Sequence, residues 1–290
     1  MSRILIAGCG YVGTATADRF HAAGWEVEGW THSPKSAARL GAKPYPIRAI
    51  DLTDAGAVQA AAGPCEAVIH CASSGGGGAE NYRQIYLEGA RHLVAAFPSS
   101  RLLYTSSTSV YHQQDGEWVD ETSPAEPAHE TGKILRQTEE FVRENGGLIV
   151  RLAGIYGPGR SALLRKFLSG TARIEGEGSR FLNQAHRDDI AAALFHLLSL
   201  PAESRGNDQI FNVADHEPIT QRACYEWLAQ KLGQPLPPSG TAPEPRKRGA
   251  SNKRVSSARL RGLGWAARYP NFAIGMTDSI LPAYASTGLA

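Results

Sequence analysis

The run Arg3-Ile4-Leu5-Ile6-Ala7 enters Gly8-x-Gly10-x-x-Gly13 and leaves into an Ala-rich segment, Thr14 to Ala23, that Gly24 stops. A short apolar run of this kind reads as a buried parallel strand. The segment after it reads as a helix. Strand, glycine turn and helix in that order are the setting in which a dinucleotide fingerprint counts as a signal. Each glycine has its own reason. Gly8 permits the tight turn, Gly10 leaves the backbone bare for a pyrophosphate, and Gly13 lets helix and strand pack closely. The helix N-terminus offers free N–H groups and the positive end of its dipole to the phosphates. Gly8, Cys9, Gly10, Tyr11, Val12 and Gly13 are therefore the expected phosphate turn of an NAD or NADP site.

The next strand is expected over Trp25 to Trp30, ending at Thr31-His32-Ser33-Pro34-Lys35. An acid at its tip would hold the ribose 2′-hydroxyl of NAD. Thr31 stands there instead. Glu28 has about the right spacing from the glycines but falls mid-strand. With His32 and Lys35 beside Thr31, a 2′-phosphate is accommodated, and NADP is favoured over NAD.

Strand and helix keep alternating. A third strand is expected over Tyr45 to Leu52, with Asp51 at its C-terminal end, then a helix over Ala55 to Ala62. A fourth strand, Ala67 to Ala72, exits into Ser73-Ser74-Gly75-Gly76-Gly77-Gly78, which reads as a closing flap or a mobile tip. A long helix from Tyr82 to Phe97 leads to a fifth strand, Arg101 to Thr105, and a hydroxyl cluster, Ser106-Ser107-Thr108-Ser109. Such a cluster can donate to a substrate oxygen or serve turn chemistry. After Pro127 a helix runs to Glu144, and Leu148 to Leu152 is a sixth strand. This alternation predicts a doubly wound parallel α/β sheet with right-handed crossovers. A helix over Asp188 to Leu198 and a strand over Gln209 to Val213 are expected to return to it. The Pro-rich run Gln234 to Pro245 reads as a linker or surface loop.

Composition narrows the class. At 290 residues the chain exceeds one average domain, and a net charge of +2 gives no general field for nucleic acid or membrane. Arg246-Lys247-Arg248 reads as a solvated surface cluster. Cys9, Cys65, Cys71 and Cys224 lack zinc-type spacing, so reduced thiols are expected. With no leader pattern before the first strand and no long apolar run, a cytoplasmic protein with a small-molecule substrate is expected, as monomer or homodimer.

Several stretches taken together are similar to one family: GCGYVG near the start, Asp51-Leu52, His70-Cys71-Ala72, Thr105 to Tyr111, RLAGIYGPG over Arg151 to Gly159, His186 to Ile190, Phe211-Asn212-Val213, and Lys253-Arg254-Val255 leading to Leu263-Gly264-Trp265. The chain resembles the extended short-chain dehydrogenase/reductase superfamily, of the NAD-dependent epimerase/dehydratase type. The resemblance implies a Rossmann domain, residues 1–156 plus 186–214, and a smaller C-terminal substrate lobe, residues 157–185 plus 215–290. It also implies cofactor contacts from Asp51, Leu52, Cys71 and Ala72.

The family's active site uses Ser or Thr, a Tyr, and a Lys four residues after the Tyr. The phenolate moves the substrate proton, while the Lys lowers its pKa and holds the nicotinamide ribose. Here Ser107 matches the hydroxyl and Lys133 is the candidate lysine, for cofactor and catalysis alike. Four residues before Lys133 stands His129, not tyrosine, and Tyr86 replaces the asparagine usual in the preceding helix. His129 and Lys133 would share a helix face at i, i+4, which makes His129 a substitute base or an ordinary surface histidine. Tyr111 and Tyr156 are further candidate acids that read as cleft-wall packing. Two functions follow: an NAD(P)-dependent oxidoreductase or epimerase/dehydratase on a polar, nucleotide-linked or other substrate, or a non-catalytic NAD(P)-binding sensor or partner-binding protein.

Overall fold

In the computed structural model, which describes residues 2–240 and 251–287, the first apolar run is strand β1, Arg3–Ala7. Helix α1, Tyr11–Ala22, follows the glycine turn directly. The chain continues through β2 (Glu26–Thr31), α2 (Pro34–Arg39), β3 (Ile47–Ala49), α3 (Ala55–Ala61) and β4 (Ala67–His70). Next come a helix α4 over 79–96, β5 (Arg101–Ser107), α5 (Glu130–Glu144), β6 (Leu148–Leu152), α6 (Arg187–Ser199) and β7 (Ile210–Val213). The Arg246-Lys247-Arg248 cluster and the end of the Pro-rich run lie outside the described residues.

All seven strands are parallel, in the order β7-β6-β5-β4-β1-β2-β3. The doubly wound fold is as expected. Helices cover both faces of such a sheet, so its central strands read as unbroken apolar runs; every residue of β4 and β6 is buried. The strand order reverses between β1 and β4, which puts the ligand crevice at their C-terminal ends.

The third strand is shorter than expected. Only Ile47–Ala49 pairs with β2 at the sheet edge. Asp51 leaves the ladder because its carboxylate accepts from both the backbone N–H and the hydroxyl of Thr53, each at 2.9 Å, closing a turn.

Helix α5 is fixed to the sheet by buried charge. Arg151 on β6 donates to both carboxylate oxygens of Glu139, at 3.0 and 2.7 Å, and to the Tyr111 hydroxyl at 2.8 Å. Ser106 donates to the same carboxylate at 2.6 Å. This network takes up Ser106 of the hydroxyl cluster, and Thr105 just before it donates to the His70 carbonyl at 3.1 Å. Beyond the main core a second apolar cluster gathers Tyr156, Phe167, Tyr225, Phe272, Met276 and neighbours. Two short strand pairs adjoin it: Gly154–Tyr156 beside Gln184–His186, and Phe181–Leu182 against Ile219–Thr220. Among the described residues no helix is long and apolar enough to cross a membrane.

Candidate functional site

A cleft of about 700 Å³ opens along the C-terminal ends of β1, β2, β4 and β5. The glycine turn is its floor, and the three glycines differ in what they face. Gly8 has φ +112°, and a Cβ there would stand 2.2 Å from the Ala72 nitrogen. At Gly13 a Cβ would stand 2.1 Å from the Gly8 carbonyl oxygen. Both positions are filled by the protein's own backbone. A Cβ on Gly10 would meet nothing within 4 Å. The free space lies at the glycine whose bareness a pyrophosphate requires. No side chain caps the N-terminus of α1, and its first turn carries no acid. Cys9, Tyr11, Val12, Cys71 and Ala72 also line the cleft. Burial pushes the Cys9 thiol up to about 12 and raises Cys71 too, so both are packing thiols.

One end of the cleft is bounded by Thr31, His32, Ser36, Arg39 and Leu40. Glu28 takes no part. Its carboxylate is buried and accepts from Trp30 Nε1 and Arg3 at 2.7 Å and from Arg48 at 3.2 Å. Lys35 does not line the cleft. Ser33 caps α2 and Pro34 opens it, so helical spacing puts Ser36, Arg39 and Leu40 on the inner face. The Ser33-Pro34 pair signals this helix in the sequence. Asp51 and Leu52 also stand outside the cleft lining. Leu52 is buried in the core, and Asp51 sits 3.5 Å from His32 Nδ1. Burial raises the Asp51 carboxyl, but the Thr53 bonds and His32 outweigh it and hold it below its usual range.

The other end is built from β5, α4 and the chain after β6. Ser107 and Ser109 line it, with Tyr82, Tyr86, Leu152 and Arg160 among its walls. Ser107 Oγ accepts from the Ser109 N–H at 3.2 Å. Helix α4 reaches the cleft through a π-helical stretch, Arg83–Glu88. A π turn slips the hydrogen-bond register and frees carbonyls. The buried ring of His70, at the tip of β4, takes them up: Nε2 lies 3.1 Å from the Ile85 oxygen and 3.4 Å from that of Tyr86. The Tyr82 and Tyr86 rings lie 5.0 Å apart on the cleft wall. The glycine run folds back on this helix, with Asn81 donating to the Gly76 carbonyl at 2.8 Å.

Neither Lys133 nor His129 lines this cleft. The expected shared helix face does not form, because His129 is the N-cap of α5 with extended backbone. It borders a small side pocket with Tyr82, Ser109 and Leu135, three residues that border the main cleft too. Lys133 is exposed and lies 3.6 Å from Glu130. Tyr111 is committed to the buried network, and Tyr156 packs in the second apolar cluster. Arg39, Ser36 and Tyr82 are cleft residues that the sequence reading missed.

The NAD dependent epimerase/dehydratase family model matches residues 4–214, and the chain belongs to that family. It is 28% identical over 283 residues to Protein YeeZ of Escherichia coli K12, covering 93% of this chain and 97% of that one. It is 26% identical over 187 residues to a 2′-dehydrokanamycin reductase of Streptomyces kanamyceticus, covering 59% of this chain and 50% of the relative. A Methylobacillus flagellatus structure, provisionally described as an NAD-dependent epimerase/dehydratase, superposes with TM-score 0.77 at 29% identity, covering 98% of this chain and 99% of that one. The fold is shared with the Thermus thermophilus UDP-glucose 4-epimerase in complex with NAD, at TM-score 0.76 and 19% identity over 94% and 96% of the two chains.

Proposed function

We propose that this chain is a cytoplasmic NAD(P)-dependent oxidoreductase of the epimerase/dehydratase type, acting on a small polar substrate, nucleotide-linked or otherwise, with NADP favoured. The bare backbone at Gly10, under a cleft at the switch point of the sheet, carries this reading. The Gly8–Gly13 turn would bind the pyrophosphate against the open N-terminus of α1. At the other end of the dinucleotide, His32, Ser36 and Arg39 would accept a ribose 2′-phosphate. Residues 157–185 and 215–290 would supply the substrate side.

The cofactor supplies hydride transfer when bound; the chain's residues bind, orient and move the proton. Ser107 and Ser109 would orient the substrate oxygen. The proton would pass by way of the side pocket that Tyr82, Ser109 and His129 share. For Lys133 to hold the nicotinamide ribose, its side chain would have to leave Glu130. An exposed pair of that kind is worth roughly 0–1 kcal/mol, so the move costs little. Support for a reductive role comes from the Streptomyces relative, which is described as a reductase.

The absence of Lys133 and His129 from the cleft lining favours a second reading, a non-catalytic NAD(P)-binding protein. Following nicotinamide absorbance against ketone and alcohol substrates, and product formation by NMR against sugar nucleotides, whose epimerisation or dehydration returns the cofactor to its starting oxidation state, separates the two. Under the enzyme reading some substrate turns over, and His129→Ala slows it by about 10²–10⁴-fold. Turnover that is unchanged in His129→Ala would remove His129 from the proton path.

A further inference from the structure

Taking the cleft as the dinucleotide site proposed above, we propose that Arg160 is a phosphate-binding residue, held over the glycine turn by Tyr11. Four observations converge on it. First, Arg160 ends a tight turn that returns on itself: the Gly157 N–H donates to the Arg160 carbonyl at 3.0 Å, and the Arg160 N–H to the Gly157 carbonyl at 2.9 Å. Pro158 followed by Gly159 at φ +72° suits the two central positions of such a turn. The platform is therefore stiff.

Second, the turn is tied to the phosphate loop although it lies 147 residues away in sequence. The Tyr11 hydroxyl donates to the Pro158 carbonyl at 3.0 Å. A Cβ on Gly157 would stand 2.5 Å from that hydroxyl, so the glycine makes the approach possible. Third, two guanidinium groups flank the Tyr11 ring, Arg160 at 5.3 Å and Arg187 at 5.0 Å from its centroid. They differ in charge balance. Arg187 is paired with Asp188 at 2.9 Å. Arg160 is exposed, lines the cleft and has no ion-pair partner among the described residues.

Fourth, the neighbouring N-terminus of α1 adds its own positive end, with no acid in the first turn to offset it. An unpaired guanidinium beside such a terminus presents the fork that phosphate oxygens fit in pairs. The phosphate has two sources, the pyrophosphate of the dinucleotide or a phosphoryl group of the substrate.

Calorimetry on wild type, Arg160→Ala and Arg160→Lys tests this, with NADPH, ADP and adenosine as probes, and UDP added to the NADPH-loaded protein. For the cofactor source, Arg160→Ala weakens NADPH and ADP by about tenfold and leaves adenosine unchanged. Arg160→Lys retains part of the affinity as a point charge. The loss shrinks as salt is raised, and the melting temperature stays put. If NADPH and ADP are unchanged while UDP weakens by that factor, the phosphate belongs to the substrate and Arg160 keeps its role. Equal affinities of wild type and Arg160→Ala for every probe would overturn the role of Arg160 alone. A wild type that binds neither NADPH nor ADP would overturn the reading of the cleft itself.

Discussion

The two ends of the cleft are made in different ways. The glycine turn is backbone. Gly8, Gly10 and Gly13 act through missing side chains within six residues, and their neighbours are fixed by β1 and α1. The far end is assembled from side chains on β5, α4 and the segment after β6, and its shape depends on a register slip in a helix and on a buried ion pair. A backbone device survives wide sequence change and stays local. A side-chain constellation depends on many distant choices.

The largest effect should come from breaking the scaffold of the far end. Glu139→Ala strands Arg151, which is 2% exposed. Removing one member of a buried pair costs about 3–5 kcal/mol. Denaturant unfolding should show that loss; a cost below about 1 kcal/mol would mean that the network does not anchor α5.

Next is the histidine at the root of the π turn. Burial holds His70 down at about 4, against an ordinary value of 6.5. Its neutral form is the folded one. Its contribution to stability is complete above pH ~6.5 and is lost as pH falls toward ~4, where the unfolded chain takes up the proton first. The loss by pH 5 is about 1–2 kcal/mol, at roughly 1.4 kcal/mol per unit of pKa difference. His70→Gln keeps a donor but cannot titrate. Its unfolding midpoint should drop less than wild type between pH 7 and 5, and parallel drops would rule out this source.

How much was legible beforehand follows the same division. The glycine turn, the parallel sheet and the fifth strand were readable, because apolar runs and punctuating glycines carry them, but that strand runs on through Ser107, two residues past the expected end at Thr105. The length of β3 was misjudged, because its apolar character runs past the point where Thr53 captures Asp51. Helix α2 is absent from the sequence reading, and with it Arg39 and Ser36, because Ser33-Pro34 marks only the end of the second strand there, whereas the pair is the cap and first turn of a helix. The π turn has no local signature; it depends on a histidine from another strand. The position of His129 hung on one residue of helix boundary, since an N-cap does not share the helical face.

Arg39 gives a smaller effect, confined to the near end. If Arg39 helps to hold a 2′-phosphate, Arg39→Ala should weaken NADPH by about tenfold and leave NADH unchanged. Paired dissociation constants measure this. Equal losses for both cofactors would assign Arg39 to general adenosine contact and remove it from cofactor discrimination.

The central claim, that a dinucleotide pyrophosphate lies on the bare backbone at Gly10, is tested most directly by Gly10→Val. The position is exposed and nothing within 4 Å would meet the new Cβ. The substitution should therefore leave the melting temperature nearly unchanged while calorimetry with NAD(P)H shows affinity lost by at least about tenfold, as the side chain occupies the pyrophosphate's place. Gly10→Val that melts like wild type and binds NAD(P)H with undiminished affinity would contradict the account.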